Sequence, residues 1–203
     1  GDYMNFWTDN TERMRIDSDG NVGIGTVSPE TLLNVNSPSG TTYPTLGTAS
    51  GVIALSINEL HGMYLGVDGS SGNGWIQSMR EDAGATAYNL ILQPSGGNVG
   101  IGVTPNDWDP TITALQIDAV SISAFTNNVM LIGGNAYYDD TANAYKYINN
   151  GYASQLTVNN SGNFEFKTAA SGTAGGTVSL DTKVKILNNG NVGIGVTGPV
   201  STL

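Results

Sequence analysis

The sequence contains no cysteine, which excludes a disulfide framework and any zinc module built on thiolates. Long apolar runs are missing as well. The strongest, residues 129–132, stops at Gly133-Gly134 and is far shorter than the roughly 18 residues that a membrane helix needs. We therefore expect no membrane insertion, and nothing in the sequence indicates a metal or a cofactor.

Positive charge is scarce. Seven Lys and Arg stand against 17 Asp and Glu, which gives a formal net charge of -10 and a pI of about 4.1. A polyanion is repelled by such a chain at long range, and so is an anionic membrane surface. We therefore expect neither a nucleic acid nor a membrane as a partner.

Glycine, in contrast, is abundant, with 28 of 203 residues, roughly twice the usual share. It follows no three-residue period, which excludes collagen. Short apolar stretches alternate with turn pairs such as Asp68-Gly69 and Asn73-Gly74, and no stretch has a convincing helical period. The sequence predicts an all-β protein.

Much of the glycine lies in the hexapeptide Gly-Asn-Val-Gly-Ile-Gly, which is written three times, at residues 20–25, 97–102 and 190–195. A short apolar stretch precedes each copy, at residues 14–16, 90–92 and 184–186. A proline and then a leucine follow each copy: Pro29 and Leu33, Pro105 and Leu115, Pro199 and Leu203. We call each hexapeptide with these flanks a collar.

The collars divide the chain into modules of similar sequence, because Ser71-Gly72-Asn73 and Ser161-Gly162-Asn163 stand at comparable distances before the next hexapeptide. The predicted plan is the end of a preceding module (1–13), collar 1 (14–35), β module 1 (36–89), collar 2 with an insertion (90–117), β module 2 (118–183) and a truncated collar 3 (184–203). We expect the sequence to be a fragment of a longer protein.

A collar is poor in side chains that can hold it in place. In a strand the Val and Ile of a hexapeptide share one face and its glycines share the other. Burying the two apolar side chains stabilises the strand by about 3–6 kcal/mol, whereas ordering each backbone residue costs roughly 1–2 kcal/mol. The sequence predicts copies of the chain around a symmetry axis, with Val and Ile turned inward and glycine admitting nearby backbone. The predicted collar residues are Val22, Gly23, Ile24, Gly25, Val99, Gly100, Ile101, Gly102, Val192, Gly193, Ile194 and Gly195. The alternative is a tight hairpin of a monomeric β-sandwich in which the glycines serve turn geometry only.

The hexapeptide, its Asp- or Asn-rich turn and its proline resemble tail fibre and tailspike-associated proteins of bacteriophages, especially marine and cyanobacterial phages. Residues 137–151 and 171–175 look like the modules between such collars. The resemblance implies an elongated, intertwined homotrimer of small β-sandwich-like modules in the tail fibre of a virion, in contact with other tail proteins and with host surface glycans or proteins. It also implies a self-cleaving chaperone domain after the last collar, which this sequence does not contain.

Aromatic and polar residues crowd together in module 2, and this composition suits a shallow saccharide platform. The candidate glycan-binding residues are Tyr137, Tyr138, Asp139, Asp140, Tyr145, Tyr147, Tyr152 and Trp108. The alternative is that the tyrosines fill strand positions in a module core or interface.

Other motifs are weaker. Residues 193–198 match the dinucleotide fingerprint but lead into Pro199. Residues 17–21 open like a calcium loop, yet Ser28 stands where an EF-hand needs Glu. His61 is the single histidine, and no nucleophile elbow accompanies it.

We therefore expect a non-enzymatic fibre segment that attaches to a host through several weak contacts. One alternative is a shaft spacer. A less favoured alternative is a polysaccharide depolymerase that uses Asp139-Asp140, Glu81-Asp82 or Asp107 with Asp109.

Overall fold

The computed structural model describes residues 2–37, 42–48, 51–58, 60–82, 84–125 and 128–200. The predicted all-β class is confirmed: the described residues form strands and turns and no helix, and therefore no helix that could cross a membrane. The chain divides into two compact units, Gly1–Leu90 and Ile91–Leu203. Leu203 of collar 3 lies outside the described residues.

The first unit contains two sheets. Its strands are β1 (Met4–Thr8), β2 (Thr11–Ile16), β3 (Val22–Ile24), β4 (Leu33–Val35), β5 (Ile53–Ile57), β6 (His61–Val67) and β7 (Gly74–Arg80). The first four strands form one sheet in sequence order, in which β3 and β4 run parallel, and the last three form an antiparallel meander. Collar 1 is thus a part of a sheet and not a separate element.

The second unit is built on one large sheet. Its strands are β8 (Val99–Ile101), β9 (Ile112–Ile117), β10 (Val120–Phe125), β11 (Val129–Gly134), β12 (Ala136–Asp139), β13 (Ala144–Tyr147), β14 (Gly151–Val158), β15 (Phe164–Gly172), β16 (Asp181–Ile186) and β17 (Val192–Ile194). Eight of them lie in the order β17-β16-β15-β14-β11-β10-β9-β8, while β12 and β13 form a separate hairpin. Collars 2 and 3 therefore supply the two edge strands of the same sheet.

One face of the large sheet is covered. Ala136 and Tyr147 of the β12–β13 hairpin pack with Ala153, Ala169 and Val178. A second cluster forms where Trp108 of the collar 2 insertion packs with Ile112 and Ala114, and Tyr137 and Tyr138 of the hairpin lie against it. Polar side chains are also buried on this face, among them Gln116, Ser121, Ser123, Gln155 and Thr157.

The division between the units falls within one residue of the end that the sequence gives to module 1. In the second unit, however, hydrogen-bonded strands run continuously from collar 2 through module 2 to collar 3. Strand β16, which precedes the third hexapeptide, pairs along its length with β15 of module 2. Collars 2 and 3 are therefore joined to module 2 through their backbones, whereas collar 1 and module 1 lie in separate sheets.

Candidate functional site: the collars and an open apolar sheet face

The first and third collars have the same local structure. In each, the hexapeptide forms a three-residue strand that turns back on the preceding strand, with Met14 opposite Ile24 and Val184 opposite Ile194. The turn bonds also match: the amide of Asp17 donates to Asn21 O at 2.9 Å, and the amide of Leu187 donates to Asn191 O at 2.9 Å. The repeat in sequence is therefore a repeat in structure.

The three glycines of a hexapeptide have different functions. The first and the last adopt positive φ values, 84–93° and 69–73° respectively across the copies, which favour glycine in the turn and after the strand. The middle glycine has no room for a side chain. A Cβ on Gly23 would lie 2.7 Å from Thr26 O, and one on Gly193 would lie 2.5 Å from Val196 O and 3.2 Å from the ring of Pro199. The chain thus folds over its own middle glycine, and the proline of each collar closes that contact.

The leucines that follow the first two prolines also have a structural function. Leu33 lies beside Val22 in the parallel pair β3–β4, and Leu115 lies beside Val99 in the parallel pair β8–β9. The hexapeptides therefore form backbone pairs within their own chain. Those of collars 1 and 3 form hairpins, as the hairpin alternative expected. The Ile side chains of the hexapeptides remain open: Ile194 is 71% exposed, and Ile24 and Ile101 are also exposed.

The open face of the large sheet carries an unbroken row of apolar side chains across all eight strands. Following the register from β17 to β8, the row is Ile194, Val184, Phe166, Leu156, Ile132, Ile122, Leu115 and Val99. A second row beside it contains Val192, Ile186, Phe164, Val158, Met130, Ala124 and Thr113. We call these two rows the apolar face; neither contains a charged residue.

The same arrangement occurs in the first unit. One row of the four-stranded sheet is Met4, Ile16, Val22 and Leu33, and the other is Phe6, Met14, Ile24 and Val35. The β-bulge after Phe6 in β1 corresponds to the bulge after Phe166 in β15, so the match extends to the strand before each hairpin. Residues 4–8 thus occupy the place that the end of module 2 occupies in the second unit.

The apolar face is large for a surface left to solvent. At its centre Ile122 is 51% exposed and Phe166 is 46% exposed, while Leu156 between them is partly buried. The two rows lie side by side as one contiguous apolar patch, and a patch of this kind marks a contact with another protein. An antiparallel sheet with one covered face ordinarily covers its apolar side. Here the hairpin covers the more polar side.

A charged cluster lies at the covered face, beside collar 3. The Glu165 carboxylate contacts Lys167 Nζ at 2.8 Å and Lys185 Nζ at 3.1 Å, from its own strand and from β16. Burial raises the pKa of Glu165, but the hydrogen bonds from both lysines outweigh it and leave that pKa below its usual value. Because Glu165 joins β15 to β16, its charge helps hold the strand that carries the third hexapeptide.

The structure corrects part of the predicted glycan platform. Trp108 and Tyr147 are each only 5% exposed and lie in the two core clusters, so a ligand cannot reach their ring faces. Trp108 Nε1 donates to Gln116 Oε1 at 3.1 Å, and the Tyr147 hydroxyl donates to Ala170 O. Both residues belong to the core, as the alternative reading of the aromatic set expected.

The remaining hairpin tyrosines are half-buried and make edge contacts with other aromatic rings, in the case of Tyr137 with Trp108. Tyr138 packs edge-on against Tyr145 with ring centroids 5.1 Å apart, and burial raises the pKa of Tyr145. Asp139 accepts a hydrogen bond from the Ala142 amide at 2.6 Å, so it stabilises the hairpin turn beside the exposed Asp140. These residues form the top of the hairpin and not one flat platform.

Tyr152 differs from the others, since it is 77% exposed. It lines an open groove of ≈ 660 Å³ together with Ser154, Thr168, Ser179, Asp181 and Lys183. Asp181 and Lys183 are paired there at 3.3 Å. An exposed ring beside hydroxyls and a carboxylate is the arrangement that the sequence predicted for a sugar, at a place that only the fold defines.

The weaker motifs serve local structure. The Asp17 carboxylate accepts the amides of Asp19 and Asn21, each at 2.9 Å, and the Asn21 amide above all lowers its pKa. His61 Nδ1 lies 3.0 Å from the Tyr88 hydroxyl. Residues 193–198 continue from strand β17 into bends and no helix, which removes the support that a dinucleotide site requires. No group of three potential metal-ligating acids or histidines is found in the part of the chain that the structure describes.

No protein-family model matches this chain, and no match is found among curated proteins.

The sequence did not predict the apolar face as one continuous surface. The signal was present in strands such as β10, where apolar and small polar residues alternate from Val120 to Phe125. Alternation tells which residues share a face, but only the fold shows that the hairpin covers the other one.

Proposed function

We propose that this chain is a non-enzymatic, all-β segment of a homotrimeric fibre of the bacteriophage tail type, exposed on a virion, and that it contacts a host surface. The observation that carries the proposal is the apolar face. Its first row crosses all eight strands of the large sheet and its second row crosses seven, both rows lack charge, and exposed apolar patches of this kind mark contacts with other proteins. The number three and the viral setting rest on the resemblance of the collars.

A mass measurement in solution tests the assembly. Light scattering or sedimentation equilibrium on the purified chain is expected to give three times 21.1 kDa. A mass of 21.1 kDa would remove the proposal, because the apolar face would then be stable in water without a partner.

Attachment to a host is the second part of the proposal, and Tyr152 is the residue that supports it best. Three chains would present three weak sites together, so that avidity replaces single-site affinity. A shaft spacer, the alternative, shows no saturable binding to immobilised bacterial lipopolysaccharide or capsular polysaccharide. A depolymerase releases new reducing ends from the same polysaccharides, and we expect none.

Replacing Tyr152 by Ala is expected to weaken that binding at least tenfold, since the exposed ring supplies the apolar contact for a sugar face. The matched control is Tyr43→Ala, an exposed tyrosine of the first unit. Equal binding by both variants, measured by surface plasmon resonance on trimers of unchanged mass, would locate any adhesion away from the groove.

A further inference from the structure

The second collar lacks a strand that the other two possess. Strand β3 is paired with β2 before it, and β17 is paired with β16 before it. Strand β8 pairs with β9 alone among the described residues. One edge of β8 therefore presents backbone groups that a neighbouring strand satisfies in both sister collars.

The segment that corresponds to the missing strand is present in the sequence but forms no strand in the structure. Residues 90–92 match Met14-Arg15-Ile16 and Val184-Lys185-Ile186 by their place before the hexapeptide. Leu90, Ile91 and Leu92 belong to no strand and are all exposed, Ile91 by 69%. An apolar segment without a strand and a strand edge without a partner thus occur in the same collar.

Loop length distinguishes collar 2 from the two collars that form a hairpin within the chain. Five residues, 17–21 and 187–191, separate the paired strands of collars 1 and 3. Collar 2 has one more, because Gly96 and Gly97 stand where the others have a single glycine. A five-residue turn would place Gln93 opposite Val99, on the apolar face, and Leu92 opposite Gly100, where the sister collars have the charged residues Arg15 and Lys185.

We propose that residues 90–92 of a second copy of this chain occupy the open edge of β8, so that the copies exchange strands at collar 2. The inference rests on the self-association of the proposed function. A strand from another copy is free of the loop constraint and takes the register of the sister collars: Leu92 opposite Val99, Ile91 opposite Gly100, and Leu90 opposite Ile101. Leu92 then extends the first row of the apolar face to a ninth strand, so the exchanged strand is continuous with the surface that the copies cover.

Disulfide trapping tests this exchange cleanly, because the chain has no cysteine of its own. Met14 with Ile24 and Ile16 with Val22 are the pairs that do not exchange backbone hydrogen bonds, since the neighbouring bonds join Asp17 to Asn21 and Gly25 to Arg13. Leu92 and Val99 correspond to such a pair. Their Cα atoms would be about 4.5 Å apart, within the range that a disulfide spans.

One chain with Leu92→Cys and another with Val99→Cys are refolded together and oxidised, so that only a bond between copies joins the two cysteines. We expect a covalent dimer on a non-reducing gel, at least tenfold above the level that either chain gives alone. The matched control combines Ile91→Cys with Val99→Cys, whose side chains point to opposite faces in the proposed register, and is expected to give no dimer above that background. No excess of dimer in the Leu92 and Val99 mixture would overturn the exchange.

The double variant Leu92→Cys/Val99→Cys distinguishes the two origins of the strand. Exchange yields covalent dimers and trimers, whereas a hairpin within the chain yields an internally bridged monomer, as expected for Ile186→Cys/Val192→Cys of collar 3. Internal bonds alone in protein of trimeric mass would contradict the exchange and leave the proposed function intact. A monomeric mass for the unmodified chain would contradict both.

Discussion

Local backbone conformation and steric crowding explain why glycine recurs at the same three positions of every hexapeptide. Its first and last glycines adopt left-handed backbone conformations, and its middle glycine lies under the chain that returns over it. The sequence predicted close backbone approach at the glycine face; the approaching backbone is the carbonyl three residues later in the same chain. Each glycine thus meets a separate local requirement.

Replacing Gly100 by Val is expected to destabilise the protein by roughly 1–3 kcal/mol, because the new side chain would overlap the Val103 carbonyl and lie 2.8 Å or less from the ring of Pro105. The free energy of unfolding from urea titration measures the effect. Gly74→Val is the matched control, since it is the same change at an ordinary φ with nothing within 4 Å, and it is expected to cost less than about 0.5 kcal/mol. Similar values for the two variants would contradict the crowding described for the middle glycine.

The aromatic residues show where reasoning from composition ends. Clustering of Tyr and Asp in the sequence is compatible with a binding platform and with a core, because the same rings suit both. The pairing of β12 with β13 turns Tyr147 toward Ala153 and leaves Tyr152, at the start of β14, outside that cluster. Burial of each ring depends on partners distant in sequence.

Among the elements, the hairpins of collars 1 and 3 were the most predictable. The Gly-containing turn and the apolar alternation on both sides specify a two-stranded unit locally. The parallel pairs β3–β4 and β8–β9 were not predicted, because a parallel connection leaves no turn signature of fixed length. The sequence shows a leucine after each proline, but the positions of Leu33 and Leu115 beside the hexapeptide valines appear only in the sheets.

The ion cluster that ties β15 to β16 gives a prediction on pH. Replacing Glu165 by Gln leaves two largely buried lysines without their carboxylate and is expected to cost about 1–2 kcal/mol at pH 7. Since the folded pKa of Glu165 lies below its unfolded value near 4.3, its contribution is present above that value and is lost as pH falls through the folded pKa. Urea titrations from pH 7 downward are therefore expected to show a difference between wild type and variant that is full at pH 7 and shrinks as the pH falls below about 4.3.

The control for this prediction is Asp181→Asn, which removes an exposed pair with Lys183 at 3.3 Å. Surface pairs contribute about 0–1 kcal/mol, so this variant is expected to stay close to wild type over the same pH range. A loss as large as that of Glu165→Gln, or a Glu165→Gln effect that persists at low pH, would indicate that the carboxylate does not act through its charge.

At the scale of the molecule, both units expose apolar rows on one face of a sheet while the chain has a net charge of -10. Acidic copies repel one another wherever charges meet, so an uncharged face is the surface on which copies can approach. In the proposed trimer the collars would therefore contribute to assembly through the sheets they extend and not only through their own few side chains.

Replacing Ile122 by Lys places a charge at the centre of the first row. The side chain is half exposed in the single chain, so the fold is expected to persist while the mass in solution falls from three times 21.1 kDa toward one. Sedimentation equilibrium measures the mass, and far-ultraviolet circular dichroism checks the strand content. The control is Asn160→Lys, which adds the same charge in the exposed turn between β14 and β15 and is expected to remain trimeric. If Ile122→Lys also keeps the trimeric mass, the apolar face is not the contact between copies.

The sequence by itself determined the all-β class, the presence of three copies of the collar and which side chains share a face of a strand. Turn chemistry and a period of two residues act over short distances in the chain, which is why they can be read from the sequence. The tertiary structure decided which face is covered, which tyrosine remains outside and which collar lacks its strand. Those outcomes depend on where the β12–β13 hairpin and the insertion with Trp108 come to lie, and packing between segments distant in the chain leaves no local pattern from which to read it.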